Sequence, residues 1–177
     1  MVKAALCLLV ACAFASTVFE PQAKVVTQEM VDFVNNDPTS KWTAHTDWVG
    51  EMTVEEAMGM VGTDLNVVNP FPKHNFGALM DHVTVPSGFD SRTQWPDCIH
   101  PIRNQEQCGS CWAFSASEVL SDRFCISNKA NVVLSPQWLV SCDSENLGCK
   151  GGNLPYVWQY MESNGIPTDA CDPYISG

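Results

Sequence analysis

The chain has 177 residues, of which 45% are apolar and 16% are charged, a composition typical of a folded globular domain. Its 20 acidic and 9 basic residues give a formal charge of −11. Because the sequence has no cluster of Lys or Arg to neutralise phosphates or an anionic surface, its charge argues against nucleic-acid binding and membrane-surface binding.

Residues 1–15 have the pattern of a secretory signal peptide. Lys3 precedes an apolar run over residues 4–13, and Ala13-Phe14-Ala15 is the small-x-small pattern that precedes cleavage. The run is shorter than the roughly 20 residues that a helix needs to cross a bilayer. We therefore expect cleavage after Ala15, entry into the secretory pathway and no membrane anchor.

Cysteines divide the rest of the chain. Of nine, two lie in the signal-peptide pattern and seven follow Asp97. In an oxidising compartment an even set pairs, so seven cysteines indicate one free thiol, or one whose partner lies outside this chain. The change near Val85 separates residues 16–84 from residues 85–177.

Two short helices are predicted in the earlier segment. Thr27 can cap a helix over residues 28–35, and Thr53 begins a capping-box pattern that opens a helix ending near Met60. Residues 66–77, rich in Pro and Asn, are predicted to be extended. This arrangement fits a prosegment and equally a small cap on another domain.

A longer helix is predicted from Cys111 to about Phe124. Apolar residues recur at helical spacing and predict one buried face, formed by Trp112, Ala116, Val119, Leu120 and Phe124. We expect this to be the buried central helix.

Cap patterns predict two further helices. Ser135 followed by Pro136 indicates a helix continuing through Val140. Pro155 opens another helix, which Asn164-Gly165 closes.

The sequence NQEQCGSCWAF contains the residues suited to nucleophilic chemistry. Its Gly-Ser turn brings Cys111 to the start of the predicted helix, where backbone amides and the helix dipole favour a thiolate. A thiolate that attacks a carbonyl needs a base and donors for the oxyanion that forms. The amide of Cys111 and the side chain of Gln105 are candidate donors.

This sequence resembles the papain-like cysteine proteases, for which CGSCW is a signature. VPSGFDSRTQWPDC (85–98) resembles the mature start of the cathepsin B-like branch, and SDRFCI and GCKGG follow in that branch's order. KWTAHTDWVGEMTVEEAMGMVGT (41–63) is similar to its short prosegment.

The resemblance implies an α+β, papain-like fold. Residues 1–15 would be a signal peptide, 16–84 a short helical prosegment, and 85–177 the helix-rich left domain, with the chain stopping before the β-barrel domain. It also implies a cysteine-type peptidase that hydrolyses peptides or proteins without cofactor or metal. Its prosegment would lie in the cleft, and the protein would be secreted or lysosomal or vacuolar.

Site residues follow from the same resemblance. It implies Cys111 as the nucleophile and Gln105 as the oxyanion donor. Substrate-binding positions would be Gly109, Ser110, Trp112, Gly151 and Gly152, the last two presenting backbone that only glycine allows to approach so closely.

The resemblance also implies two disulfides, Cys98–Cys125 and Cys108–Cys149, with Cys111 free. Two cysteines then remain, Cys142 and Cys171. They can bond each other or pair with cysteines further along, and the sequence leaves both arrangements open.

Three features depart from the family pattern. Glu106 replaces a usual Gly, and Lys150 replaces a usual Asn. The family's base His and orienting Asn lie about 130–150 residues after the nucleophile, beyond about residue 241. We therefore expect no turnover from this polypeptide alone.

The chain's own histidines all precede the nucleophile. We expect each to be a solvated loop or prosegment residue rather than a base or ligand. They are His45, His74, His82 and His100.

Three other functions fit parts of the sequence. Cys108 and Cys111 form a Cys-x-x-Cys pair, as in thiol–disulfide oxidoreductases. A structural zinc site would use Cys142 and Cys149 with that pair, although these two are seven residues apart. The third is a catalytically dead relative that inhibits another protease through residues 16–84.

Overall fold

The computed structural model describes residues 20–63, 71 and 83–175, apart from the side chain of Trp48. The signal-peptide pattern, most of the stretch predicted to be extended, and His74 and His82 lie outside the described residues. The chain divides into two compact units, Met1–Val54 and Glu55–Gly177.

Helices dominate the described part of the chain. They are α1 (Gln28–Asn35), α2 (Val54–Met58), α3 (Ser91–Gln94), α4 (Cys111–Ile126), α5 (Pro136–Cys142) and α6 (Leu154–Asn164), with 3₁₀ turns at Asp47–Glu51 and Gly148–Lys150. Isolated β-bridges join Lys24 to Thr53, Thr63 to Gly152 and Leu134 to Thr168. None of the described helices is long and apolar enough to cross a membrane.

The first unit is built around α1. The Thr27 side chain accepts a hydrogen bond from the amide of Met30, so the predicted cap and the predicted helix are both confirmed. Val31 is buried. Asn35 bonds through its side chain to both the amide and the carbonyl of Ala44, at 2.8 and 3.0 Å, which holds the following loop against the helix end.

The second unit has a helical core in which α4 packs against α5 and α6. The core residues are Trp112, Ala113, Ala116, Leu139, Val157 and Met161. The prediction that α4 is the central helix is therefore confirmed.

The predicted buried face of α4 is partly wrong. Val119 and Phe124 are 39% and 37% exposed, whereas Ser117 and Ser121 are fully buried. The Ser121 hydroxyl donates to the carbonyl of Ser117 at 2.6 Å and accepts from the amide of Leu134 at 3.0 Å. Because these bonds satisfy the hydroxyl, a serine takes a core position that apolar periodicity does not reveal.

The helices α5 and α6 have the predicted caps. Ser135 accepts from the amide of Trp138, and α5 continues to Cys142, two residues beyond the predicted end. Gly165 ends α6 with φ +75°, a conformation that favours glycine. The predicted helix at Thr53 is present as α2 and ends at Met58 rather than Met60.

Candidate active site

Cys111 is the first residue of α4 and is half-buried. The residue before it, Ser110, has no exposed surface, and its carbonyl accepts from the amides of Ala113 and Phe114 at 2.9 and 3.1 Å. The thiol therefore lies at the N-terminus of α4.

A disulfide joins the two loops beside Cys111. Cys108 is bonded to Cys149, and the amide of Gly109 donates to the carbonyl of Cys149 at 2.9 Å. A Cβ atom at Gly109 would lie 2.5 Å from that carbonyl oxygen, so only glycine fits there. A second disulfide joins Cys98 to Cys125. Both are the pairs that the resemblance implies.

Trp112 packs against the loop that contains Gly148 and Gly152. Its indole nitrogen donates to the carbonyl of Gly148 at 3.1 Å, and its ring lies under Gly152, where a Cβ would come within 2.6 Å of it. Asn146 accepts through its side chain from the amide of Asn153 at 2.7 Å. The loop thus presents its backbone, rather than side chains, beside Cys111.

The side-chain amide of Gln105 makes two hydrogen bonds. It donates to the carbonyl of Cys108 at 2.7 Å and to the carbonyl of Met60 at 2.7 Å. The first bond lies within its own loop and orients the side chain. The second is to a peptide carbonyl from a segment 45 residues earlier in the chain.

Residues 60–63 pass between the two loops. The amide of Gly152 donates to the carbonyl of Gly62 at 2.7 Å, and Thr63 forms a parallel bridge with Gly152. A Cβ at Gly62 would lie 2.1 Å from the carbonyl oxygen of Gly109 and 3.0 Å from the Cα of Gly151. The second unit therefore holds an extended piece of its own main chain against the glycine loops.

Two recesses adjoin this segment. One, of about 310 Å³, is lined by Thr63, Cys111, Trp112, Ser115, Gly152, Asn153 and Leu154. The other, of about 540 Å³, includes Val61, Leu147 and Lys150. Cys111 thus borders a cleft that also contains the segment 60–63.

The two residues that depart from the family pattern occupy defined positions. Glu106 has φ +54°, the left-handed conformation that glycine adopts without strain, and its amide donates to the side chain of Asn104 at 2.9 Å. Lys150 ends the 3₁₀ turn before Gly151 and is exposed.

Of the described histidines, His45 is exposed, as expected. The expectation of a solvated residue is wrong for His100, whose side chain is only 12% exposed. Its ring nitrogens lie 3.0 Å from Asp122 Oδ1 and 3.1 Å from Asn131 Oδ1. His100 instead joins the loop after Cys98 to α4.

The remaining cysteines are free. Cys142 and Cys171 are exposed thiols that line one recess, and they are not bonded to each other. Because Cys108 is bonded to Cys149, the structure lacks the Cys108–Cys111 disulfide of a redox pair. The same bond removes two ligands from the zinc set, and the described residues contain no metal-binding cluster of His, Cys, Asp and Glu.

Three contributors to this site were missed by sequence reasoning: Met60, Asn146 and Tyr174. The Tyr174 hydroxyl, 69 residues further along the chain, donates to the backbone carbonyl of Gln105. The carbonyl of Met60 accepts a hydrogen bond from the Gln105 side chain. No local pattern marks such contacts. The buried Asn146 was detectable only as a polar residue close to the GCKGG motif.

Comparison with known proteins gives a consistent result. A family model described as "Papain family cysteine protease" matches residues 85–177. Cathepsin B-like CP2 of Giardia intestinalis is 45% identical over 103 residues, which are 57% of this chain and 34% of that protein. Cathepsin B-like cysteine proteinase 4 of Caenorhabditis elegans is 36% identical over 165 residues, 84% of this chain and 48% of the relative.

Among solved structures, procathepsin B S9 from Trypanosoma congolense matches with a TM-score of 0.76 and 31% identity. The match covers 88% of this chain and 55% of that protein. The chain therefore shares the papain-like fold of the matched part of a procathepsin, and it spans about half or less of the length of the two curated relatives above.

Proposed function

Since the chain belongs to the papain family of cysteine proteases, in its cathepsin B-like branch, we propose that it carries the nucleophile half of a peptidase. Cys111 is the nucleophile and Gln105 the oxyanion donor. Gly109, Trp112, Gly151 and Gly152 form the wall along which a peptide substrate lies. Ser110 contributes only its main chain to this wall, because its buried hydroxyl is bonded to Tyr174.

One observation carries this proposal: two donors of the site already hold peptide carbonyls. Gln105 donates to the carbonyl of Met60 and the amide of Gly152 donates to the carbonyl of Gly62, both at 2.7 Å. Groups that bind these carbonyls are suited to binding the main chain of a substrate in the same cleft.

The reaction begins when the Cys111 thiolate attacks the carbonyl carbon of the scissile peptide bond. The oxyanion of the tetrahedral intermediate accepts hydrogen bonds from the backbone amide of Cys111 and from the side-chain N–H of Gln105. In this structure that N–H donates to the Met60 carbonyl. The leaving amine takes a proton from a histidine, and water then hydrolyses the thioester and restores the thiol. No cofactor takes part in these steps.

The base histidine is not among residues 1–177 in this proposal. In the described part of the chain, both ring nitrogens of His100 are engaged, and His45 is exposed. We expect a polypeptide of residues 1–177 to show no peptide turnover. If that polypeptide hydrolysed peptides as fast as the complete protein does, the expectation of no turnover would be wrong.

The proposed division of the chain is signal peptide 1–15, prosegment 16–84 and left domain 85–177. Residues 60–63 must leave the cleft before a substrate enters. We propose a secretory route to the cell exterior or to a lysosome or vacuole, consistent with two disulfides, and release of the prosegment at acidic pH. Activation of the complete protein only at neutral pH would contradict the acidic step.

The test of the proposed function is hydrolysis of an unstructured protein such as denatured casein by the complete protein. Cys111→Ala should abolish turnover, because it removes the attacking sulfur. Ser127→Ala is the control, since Ser127 is exposed and lies at the other end of α4 from Cys111. Equal loss in both variants, or in neither, would contradict the proposal.

An inhibitory role is the second candidate, because residues 60–63 bind the same donors that a substrate would need. In this alternative the chain occupies the cleft of another papain-like protease through residues 16–84. The test adds residues 16–84 to an active cathepsin B-like enzyme. Absence of inhibition at micromolar concentration would exclude this role.

A further inference from the structure

The hydroxyl group of Tyr174 lies behind the turn that carries Cys111. It is 2.8 Å from the backbone oxygen of Gln105 and 2.8 Å from Oγ of Ser110. Gln105 supplies the proposed oxyanion donor, and Ser110 immediately precedes Cys111. One hydroxyl therefore contacts both ends of the turn on which the proposed chemistry depends.

Counting protons gives these hydrogen bonds a direction. A phenol has one proton, and a carbonyl oxygen can only accept, so Tyr174 donates to Gln105. The Ser110 hydroxyl must then donate to the Tyr174 oxygen. Ser110 has no exposed surface, so solvent water does not reach it as a substitute partner. The result is a continuous chain from Ser110 through Tyr174 to Gln105.

The Tyr174 ring is itself held in place. It packs edge-on against Phe114, with ring centroids 4.6 Å apart, and the Arg103 guanidinium lies 5.2 Å from the centre of the Phe114 ring. Arg103 is paired with Asp169 at 2.6 Å and with Glu118 at 3.1 Å. The hydroxyl is thus directed at the turn by packing and by a two-carboxylate ion pair.

We propose that Tyr174 is a positioning residue for the peptidase reaction, fixing the turn between Gln105 and Ser110 so that the oxyanion donor and the nucleophile keep their relative geometry. This inference rests on the proposed function. Tyr174 is not among the described residues that line the cleft with Cys111, so it acts through the turn rather than on the substrate. Small misplacements of reacting groups lower rates steeply, by about 100-fold for 1 Å.

The test compares Tyr174→Phe with wild type in the complete protein. Phenylalanine keeps the ring against Phe114 and removes only the oxygen. We expect kcat to fall between about 10-fold and about 100-fold, with KM changed less than about twofold because the substrate-facing groups remain. Active sites are counted with a thiol-reactive irreversible inhibitor, so a folding defect lowers the number of sites rather than kcat per site.

Two further variants make the result decisive. Tyr156→Phe is the matched control, because its hydroxyl has no hydrogen-bond partner among the described residues; it should keep the wild-type kcat. Ser110→Ala removes the other end of the chain of hydrogen bonds and should also lower kcat. It serves as the test if Tyr174→Phe does not fold.

The possible outcomes distinguish failure of the positioning role of Tyr174 from failure of the proposed peptidase function. Wild-type kcat in Tyr174→Phe, or in Ser110→Ala if that is the variant tested, overturns the positioning role while Cys111→Ala remains inactive. A wild-type protein without Cys111-dependent hydrolysis overturns the proposed function, and the positioning role with it.

Discussion

The side-chain amide of Gln105 has two protons, and the observed contacts use both. The bond to Cys108 within the loop leaves the second proton directed at the cleft, where the Met60 carbonyl accepts it. An amide oriented by its own loop loses little freedom when it binds a developing oxyanion, which is the condition for effective electrostatic catalysis.

Gln105→Ala in the complete protein should therefore lower kcat by between about 100-fold and about 1,000-fold, as removal of an oxyanion donor does elsewhere. Steady-state peptide hydrolysis measures this. Gln107→Ala is the control, because Gln107 is exposed on the same loop. Equal effects of the two substitutions would show that Gln105 has no special part in catalysis.

A second residue-scale effect concerns the cap of α3. The Arg92 side chain bonds to Asp90 and, together with the backbone amide of Arg92, lowers the pKa of that carboxyl to about 2. Because this pKa lies below the ordinary value of 3.8, the cap stabilises the fold fully above about pH 3.8, and this stabilisation is lost as the pH falls toward 2.

Arg92→Ala should raise the pKa of Asp90 part of the way back toward its ordinary 3.8, because the backbone hydrogen bond remains. NMR titration of the carboxyl carbon measures the change. The pKa of Asp37, which Thr39 lowers independently, is the internal control and should not move. An unchanged Asp90 pKa would contradict the role assigned to the Arg92 side chain.

At the scale of elements, cap residues predicted most of the helices because caps act locally. Thr27, Ser135 and Gly165 each make a hydrogen bond to a backbone group of their own helix. The residues next to a helix end are therefore enough to predict that end. The buried face of α4 was harder to predict. The face that α4 turns toward α5 and α6 includes Ser121, whose hydroxyl accepts a hydrogen bond from the amide of Leu134, 13 residues away.

Ser121→Ala tests that explanation. It removes the acceptor of the buried Leu134 amide, and leaving such a donor without a partner costs about 1–3 kcal/mol of unfolding free energy. Urea denaturation of residues 1–177 measures it. Ser127→Ala, at the exposed end of α4, should cost less than about 0.5 kcal/mol. A Ser121 variant as stable as wild type would show that the buried hydroxyl contributes nothing.

The segment 60–63 is the second element with a clear prediction. A Cβ at Gly62 would lie 2.1 Å from the Gly109 carbonyl, so Gly62→Ala should displace the segment and expose Cys111. The rate of Cys111 alkylation by iodoacetamide, relative to the exposed Cys142 in the same chain, should rise several-fold.

Gly88→Ala is the control for this experiment, because a Cβ there meets nothing within 4 Å. It should leave the ratio of alkylation rates unchanged. An unchanged ratio in Gly62→Ala would mean that residues 60–63 do not limit access to the thiol.

For the molecule as a whole, the candidate site brings together parts that are distant in sequence. Met60, Gln105, Gly152 and Tyr174 meet only through the fold, over separations of 45 and 69 residues in the hydrogen bonds to Gln105. Sequence reasoning placed Cys111 at a helix start and named Gln105 as a candidate donor from local signals, whereas the substrate wall came from resemblance to a family. It missed Tyr174, because one hydroxyl in an aperiodic segment has no local signature.

The central claim is that Cys111 attacks the carbonyl carbon of a peptide, and it is tested most directly by trapping the acyl group. The activated complete protein is mixed with a peptide p-nitrophenyl ester, which releases p-nitrophenolate as the thioester forms, and is quenched in acid for peptide mass mapping. The account predicts the acyl group on Cys111, with Cys142 and Cys171 unmodified. Acyl transfer to another residue, or hydrolysis that continues in Cys111→Ala, would contradict it.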